Sequence, residues 1–119
     1  MADFNVNLRG VGPVSVIDVK GYLDAHTAPE LENVFNKLLD DQQFKVVVNF
    51  NDLKYISSAG LGVFMAYVET MRENLGDIKF SNMKENVFNI FDLLGFPILY
   101  EFYKDENEAV GKFNDLDKS

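Results

Sequence analysis

The segment of residues 44–50 constrains the fold of this 119-residue chain more than any other part of the sequence. Three valines, Val46, Val47 and Val48, follow one another inside it with no polar residue between them. A short, uninterrupted apolar run of this kind is typical of a strand that is covered on both faces. The pattern therefore predicts a layered structure, in which a sheet is covered by other elements.

Two strands and a helix are predicted before this segment. Residues 4–8 and residues 14–19 alternate apolar with polar side chains, and the glycines and proline between them predict a hairpin turn. Thr27 and Glu30 match a capping box, in which the Thr27 side chain would cap the next helix. The apolar spacing that follows predicts a helix over residues 28–40.

Strands and helices continue to alternate after residue 50. A loop is predicted at residues 52–56. The next helix is predicted from an apolar stripe and ends near Gly76; the stripe consists of Leu61, Phe64, Met65, Val68 and Met71. A short strand at 78–80, a helix over 87–94 with Gly95 as its C′ residue, a strand at 98–102 and a weakly helical acidic tail follow. The order β-β-α-β-α-β-α-β-α predicts one α/β domain over residues 1–119. Its sheet should be mixed and mostly parallel, with an N-terminal antiparallel hairpin and about four helices.

The composition narrows the classes of function. The formal net charge is −8 and no run of lysine or arginine offers a basic patch, which argues against binding to nucleic acid or anionic lipid. The chain has no cysteine, which excludes disulfides, thiolate nucleophiles and cysteine-based zinc sites. It shows no signal-peptide pattern and no apolar run of the ~20 residues that span a bilayer. The sequence therefore predicts a cytoplasmic protein without a cofactor or a metal.

Two adjacent serines mark the candidate functional site. Ser57 and Ser58 lie between the buried strand and the next helix, and Gly60 and Gly62 follow at once. The start of a helix leaves about four backbone N–H groups without partners and favours negative charge. A serine there could cap the helix, or could carry a phosphate that the same N–H groups would hold. Because sites in such sheets lie at the carboxyl ends of the strands, residues 21–27 are expected beside the serines.

Three segments resemble the STAS domain family, which is named after sulfate transporters and anti-sigma factor antagonists. Tyr55-Ile-Ser-Ser-Ala-Gly-Leu-Gly62 resembles the signature that reads Asp-Ser-Ser/Thr-Gly-Leu-Gly in the antagonists of the family. Gly21-Tyr-Leu-Asp-Ala-His-Thr-Ala28 is similar to Gly-Glu-Leu-Asp-x-x-Thr/Ser-Ala, and Val87-Phe-Asn-Ile-Phe-Asp-Leu-Leu-Gly95 to Leu-Phe-Asp-x-x-Gly-Leu. The matches occur in family order and at family spacing, and together they span nearly the whole chain.

The resemblance implies a switch that works by phosphorylation of a serine. When Gly60 and Gly62 are laid on the glycines of the family, the phosphorylated serine falls on Ser58, and the adjacent Ser57 is the second choice. Ser57 itself takes the position of the family's aspartate, and Ala59 takes that of its second hydroxyl residue. The chain therefore departs from the family pattern on both sides of the expected phosphorylation site.

The resemblance also implies partners. In the family, the unphosphorylated domain binds a GHKL-type serine kinase that doubles as an anti-sigma factor, and this frees the sigma factor. Phosphorylation dissociates the complex, and a PP2C-type phosphatase resets the switch. The implied protein is a regulator and not an enzyme, with a monomer as the expected state. The partner-binding residues that the matched motifs imply are Asp24, Thr27, Ser57, Ser58, Ala59, Gly60 and Gly62.

Other functions fit the same residues less well. A hydrolase elbow reads Gly-x-Ser-x-Gly, but Ile56 stands where Ser58 would need the first glycine, and the only histidine is His26. Gly60 and Gly62 lack the Lys-Ser/Thr of a phosphate-binding P-loop. The remaining alternative is another role within the family, as an accessory subunit of an ABC lipid transporter or as a scaffold in a larger signalling complex, and the sequence leaves it open.

Overall fold

A computed structural model describes residues 3–95 and 100–117, and their side chains as far as residue 114. The strands are β1 (Phe4–Val11), β2 (Val14–Leu23), β3 (Lys45–Ile56), β4 (Asp77–Ser81) and β5 (Phe102–Tyr103). The helices are α1 (Ala28–Asp40), α2 (Ser58–Glu73), α3 (Glu85–Leu93) and α4 (Glu106–Asp117). The elements follow the predicted order β-β-α-β-α-β-α-β-α.

The five strands form one mixed sheet in the order β1-β2-β3-β4-β5. β1 pairs with β2 in antiparallel fashion, and the remaining neighbours are parallel. This confirms the predicted fold class, including the N-terminal hairpin. Because each parallel strand is added next to the previous one, right-handed crossovers place α1, α2 and α3 on the same face of the sheet.

The three consecutive valines of β3 belong to two different cores. Side chains alternate between the faces of a strand, so Val46 and Val48 enter the main core beneath α1, α2 and α3. Val47 points to the other face, where it packs with Val110 and Phe113 of α4. All three valines are fully buried. The prediction that this strand is covered on both faces is confirmed.

Aromatic rings fill the centre of the main core. The ring centroids of Phe50 and Phe64 on neighbouring elements lie 5.8 Å apart, and Phe80 lies 5.1 Å from each of them. Phe91 of α3 is 5.4 Å from Phe80. All of these pairs meet edge to face, the arrangement that the quadrupole of the ring favours. These phenylalanines stabilise the fold, as their helical and strand spacing predicts.

β3 ends six residues later than predicted, because it stays paired with β2 through two irregularities. The predicted loop at residues 52–56 is wrong: the strand continues to Ile56, and its pairing register with β2 shifts twice on the way. Each shift turns an additional residue outward, so Phe50, Leu53 and Ile56 are buried at every third position. A three-residue period does not match the alternation expected of a strand, and this hid the strand in the sequence.

The other elements agree with the predictions in part. α1 has the predicted bounds, and the predicted helical tail corresponds to α4. α2 begins at Ser58, three residues before the apolar stripe that predicted it. The strand predicted at 98–102 falls partly outside the described residues, and the described strand at this place, β5, has two residues.

α4 is held to the sheet by charge as well as by its small apolar core. The Arg9 guanidinium on β1 pairs with Asp18 on β2 at 2.7 Å and with Glu106 at the start of α4. Asn49 of β3 donates a further hydrogen bond to Glu106 at 3.1 Å. The hydrogen bonds from Arg9 lower the pKa of Asp18 and the pKa of Glu106 below their usual values. The Glu106 carboxylate therefore ties α4 to two strands, β1 through Arg9 and β3 through Asn49.

The pKa of Glu106 leads to a prediction about acid stability. Because folding lowers this pKa, the contribution of Glu106 to the free energy of unfolding is complete above its unfolded value of about 4.3 and is lost as the pH falls through the folded value. Glu106→Gln should therefore be less stable than the wild type at neutral pH, and the difference should shrink below about pH 4. Urea unfolding across this pH range measures it.

The control is Glu108→Gln, a change of the same type at an exposed position two residues along α4. Its unfolding curves should follow those of the wild type at every pH. A constant difference between Glu106→Gln and the wild type over the whole range would contradict the proposed role of the ion pair.

Candidate functional site

The helix after β3 is capped by the first of the two serines. Ser57 has extended backbone angles, and its Oγ accepts a hydrogen bond from the Gly60 N–H at 3.5 Å. Ser57 is thus the N-cap of α2, and Ser58 is the first helical residue. Within the part of the chain that the structure describes, the exposed Ser58 hydroxyl makes no hydrogen bond. The capping role and the free hydroxyl therefore belong to different serines.

The serine junction is attached to the end of β2. The Ser57 N–H donates to the Leu23 carbonyl oxygen at 2.9 Å. Gly60 packs against the same residue: a Cβ atom at this glycine would lie 2.7 Å from Leu23 Cγ and 3.1 Å from Leu23 O. Since both loops leave the carboxyl ends of neighbouring parallel strands, this contact brings together two of the predicted site segments. The start of α2 and the loop after β2 form one surface.

The loop after β2 is held by Asp24 and Thr27. Asp24 Oδ1 accepts from the His26 N–H at 2.9 Å and from the Thr27 N–H at 3.1 Å. Thr27 Oγ1 donates to the Tyr22 carbonyl oxygen at 2.9 Å and accepts from the Asp24 N–H at 2.9 Å. These bonds close the loop on itself, so Asp24 is held in place while it remains partly accessible.

The predicted capping box at Thr27 and Glu30 is wrong. The Thr27 side chain makes no capping bond, because the residue already has nearly helical angles and its hydroxyl points back toward β2. The Glu30 N–H bonds instead to the Thr27 carbonyl oxygen at 3.0 Å. With 4% of its surface exposed, Thr27 is buried behind the loop, and its hydroxyl shapes the loop through these hydrogen bonds.

We call the accessible part of this region the switch surface: Asp24, Ser57, Ser58, Ala59 and Gly62. Ser58, Ala59 and Gly62 are exposed on α2, and a Cβ atom at Gly62 would meet nothing within 4 Å. Gly60, which the motif also implies, is buried against Leu23 and lies beneath this surface. The surface is thus open to the approach of another protein's backbone at Gly62.

Sequence reasoning missed three exposed side chains next to the switch surface. Met65, predicted as part of the buried stripe of α2, is 54% exposed, one turn beyond Gly62. Tyr22 and Tyr55 are register partners on β2 and β3 and both point outward. Tyr22 stands where the similar family motif has glutamate, which could have singled it out. The orientation of Tyr55 depends on the irregular pairing of β3, and no sequence signal showed it.

The described residues contain neither a metal-ligating cluster nor a helix that could span a membrane. His26 lies exposed in the loop after β2, and no group of three or more metal-ligating side chains occurs in residues 3–95 and 100–114. In the same residues, no helix is long and apolar enough to cross a membrane. The geometry offers an exposed serine hydroxyl without a hydrogen bond, on a surface formed by the start of α2 and the loop after β2.

A mixed sheet covered by three helices on one face and one on the other defines an α/β domain, and a serine lies at the start of its second helix. The chain belongs to the STAS domain family, whose model matches residues 5–109. The match covers the sheet, the first three helices and both segments of the switch surface. The resemblance found in the sequence motifs is confirmed.

Several relatives of this chain are anti-sigma factor antagonists. This chain is 29% identical to an anti-sigma-B factor antagonist of Staphylococcus epidermidis over 93 residues. The matched region covers 76% of this chain and 86% of the relative. An anti-sigma factor antagonist from Mycobacterium paratuberculosis has the same fold with a TM-score of 0.86 at 20% identity, over 94% and 95% of the two chains. The Bacillus cell fate determinant SpoIIAA, solved in a phosphorylated form, matches with a TM-score of 0.72 at 19% identity, over 91% and 98%.

The contact between Gly60 and Leu23 generates a prediction about the site's stability. Gly60→Ala places a methyl group 2.7 Å from Leu23 Cγ and 3.0 Å from Ile56 Cγ1, so the two loops must separate slightly. We expect a loss of about 1–3 kcal/mol in the free energy of unfolding, as for overpacked cores. Gly62→Ala, two residues away and unobstructed, should gain up to about 1 kcal/mol from its helix propensity. Urea unfolding of both variants tests the pair, and a stable Gly60→Ala would contradict the close contact.

Proposed function

We propose that this protein is an anti-sigma factor antagonist in a partner-switching pathway. Its unphosphorylated form binds a GHKL-type serine kinase that acts as an anti-sigma factor, and this frees the sigma factor. Phosphorylation of Ser58 switches the protein off, and a PP2C-type phosphatase restores it. The single observation that carries the proposal is the free, exposed hydroxyl of Ser58 at the start of α2, beside a serine that already caps the helix.

The division of roles between the two serines favours Ser58 as the phosphorylated residue. The Ser57 Oγ is engaged with the Gly60 N–H, so its modification would remove the cap of α2. Ser58 can be modified without loss of any hydrogen bond in the described chain. The phosphorylated form of SpoIIAA supports the idea that a protein with this fold is controlled by phosphate.

The charge of a phosphate explains how the switch could work. A phosphoserine carries about −1.5 to −2 charges at neutral pH. At the first residue of α2 the helix dipole favours such a charge, so the fold should tolerate it. An interface that covers the switch surface must instead remove the phosphate from water next to Asp24, which is unfavourable. The modification would therefore act on binding and leave folding nearly unchanged.

The partner would contact the switch surface directly. Asp24, Ser57, Ser58, Ala59 and Gly62 are at least partly accessible and would touch the kinase. Thr27 and Gly60 are buried and would act by holding the two loops in register. The names of the relatives favour this function over that of a transporter subunit or scaffold. Regulation of transcription of this kind would take place in the cytoplasm, with residues 1–119 acting as one domain.

Phosphorylation at Ser58 can be tested with the purified chain. Incubated with ATP and the GHKL-type serine kinases of the same genome, the wild type should gain one phosphate, which mass spectrometry should locate on Ser58. Ser58→Ala should gain none. Ser57→Ala should still be modified, although loss of the cap should lower its free energy of unfolding by about 0.5–1 kcal/mol. Modification of Ser57, or of neither serine by any of these kinases, would refute the assignment.

The effect of charge on binding can be tested with Ser58→Asp. We expect it to weaken the complex with the kinase at least about tenfold, which corresponds to ~1.4 kcal/mol. The free energy of unfolding should stay within about 0.5 kcal/mol of the wild type, because the position is exposed and the first turn of a helix accepts a negative charge. Ser58→Asn, similar in size but neutral, should bind more tightly than Ser58→Asp. Equal binding of the two variants would show that size and not charge matters.

A further inference from the structure

We propose that Ser57 holds the phosphate of Ser58 as a dianion: the Ser57 hydroxyl donates a hydrogen bond to the phosphate while its oxygen caps α2. The inference rests on the proposed function in one respect, that the phosphate is carried by Ser58. It goes beyond that function because it gives Ser57 a part in the switch besides that of a cap. Ser57 is a positioning residue in this proposal, and it sets the charge that the modification brings to the switch surface.

The Ser57 hydroxyl has an unused donor. Its oxygen accepts from the Gly60 N–H at 3.5 Å, a long distance for such a bond. A serine hydroxyl also has one hydrogen to donate, and that hydrogen has no acceptor within residues 3–95 and 100–114. Adjacent Cα atoms are about 3.8 Å apart, so a phosphate on Ser58 lies within reach of this hydroxyl. Ser57 can therefore cap the helix and bind the phosphate at the same time.

The backbone at the start of α2 offers two more donors. The Ser58 N–H and the Ala59 N–H have no acceptor in the part of the chain that the structure describes, as is usual in the first turn of a helix. Hydrogen bonds to an ionised acceptor are the stronger ones, and they favour the charged form of the group that accepts them. These donors and the Ser57 hydroxyl therefore favour loss of the second phosphate proton.

The start of α2 carries no charge of its own, although the net charge of the chain is −8. α2 has no acidic residue in its first turn, whereas α1, α3 and α4 carry Glu30, Glu85 and Glu106 in theirs. The first charged residue of α2 is Glu69, roughly 16 Å along the helix axis from Ser58. A phosphate would thus supply the negative charge that the helix dipole favours, and a neutral cap does not repel it.

The charge of the phosphate decides how strongly the switch acts. A dianion is repelled more by Asp24, and is harder to remove from water, than a monoanion. Because the second pKa of a phosphoserine is about 6, small shifts of this pKa change the share of the dianion near neutral pH. A neutral donor at Ser57 keeps that share high, so phosphorylation has its full effect on the partner.

Other titratable groups border the start of α2 and also act on the phosphate. They are Asp24 and His26 in the loop after β2, Glu30 in the first turn of α1, and Lys54 and Tyr55 at the end of β3. Acidic groups raise the pKa of the phosphate, and cationic groups lower it. All five are the same in every variant of the cap residue, so a difference between those variants reports on the cap residue alone.

The test is a phosphorus NMR titration of the full chain, with phosphoserine introduced at position 58 during synthesis. Ser57→Asp should raise the second pKa of the phosphate by at least about 0.4 unit relative to the wild type, because it adds a carboxylate that is ionised in this range. Ser57→Ala should raise it by about 0.2 unit through loss of the donor. Ser57→Asn should stay within about 0.1 unit, because it is neutral and its amide can donate.

Equal phosphate pKa values in Ser57→Asp and Ser57→Asn would overturn the proposal, and so would a value for Ser57→Ala equal to that of the wild type. Asp and Asn are about equally good caps, so the stability of α2 does not separate these two variants. In urea that unfolds the chain, the difference between Ser57→Asp and the wild type should fall to less than half. An undiminished difference would show an effect of sequence neighbours alone and would also overturn the proposal. Because the phosphoserine is built in, none of these outcomes depends on whether a kinase modifies Ser58.

Discussion

The fold depends on β3 being buried on both faces. Val46 and Val48 enter the main core, while Val47 on the other face needs α4 above it. The main core is large and aromatic, but the core under α4 is small, and there the Arg9–Glu106 ion pair contributes to holding the helix. The fold is therefore asymmetric: three helices are secured by apolar packing, and the fourth is secured partly by charge.

The same strand also builds the site. In its second half, β3 shifts its register with β2 twice, which keeps Leu53 and Ile56 inside while it carries the chain to Ser57. The Ser57 N–H then reaches the Leu23 carbonyl oxygen, and Gly60 packs against the same residue. The position of Ser58 is thus set by the core through Leu23. An exposed residue can be precisely oriented in this way without taking part in the packing.

The sequence predicted the fold well wherever the periodicity was regular. The bounds of α1, the N-terminal hairpin and the parallel order of the later strands all follow from local apolar patterns and from the rules that connect them. The predictions that were wrong concern places where a competing hydrogen bond or a tertiary contact overrides a local preference. Thr27 bonds back to β2 instead of capping α1, and the segment of residues 52–56 stays paired because β2 lies beside it.

By itself, the sequence determined the order of the elements, the strand with two buried faces, the family and the pair of serines at the strand-to-helix junction. These properties follow from the identity of neighbouring residues and from spacings of a few positions. Only the tertiary structure decided that Ser57 caps the helix while the Ser58 hydroxyl is left without a bond, and that Met65 and Tyr55 are exposed. The exposure of these side chains depends on which distant segments pack against them, and the roles of the two serines depend on how far β3 stays paired with β2. A local sequence pattern shows neither.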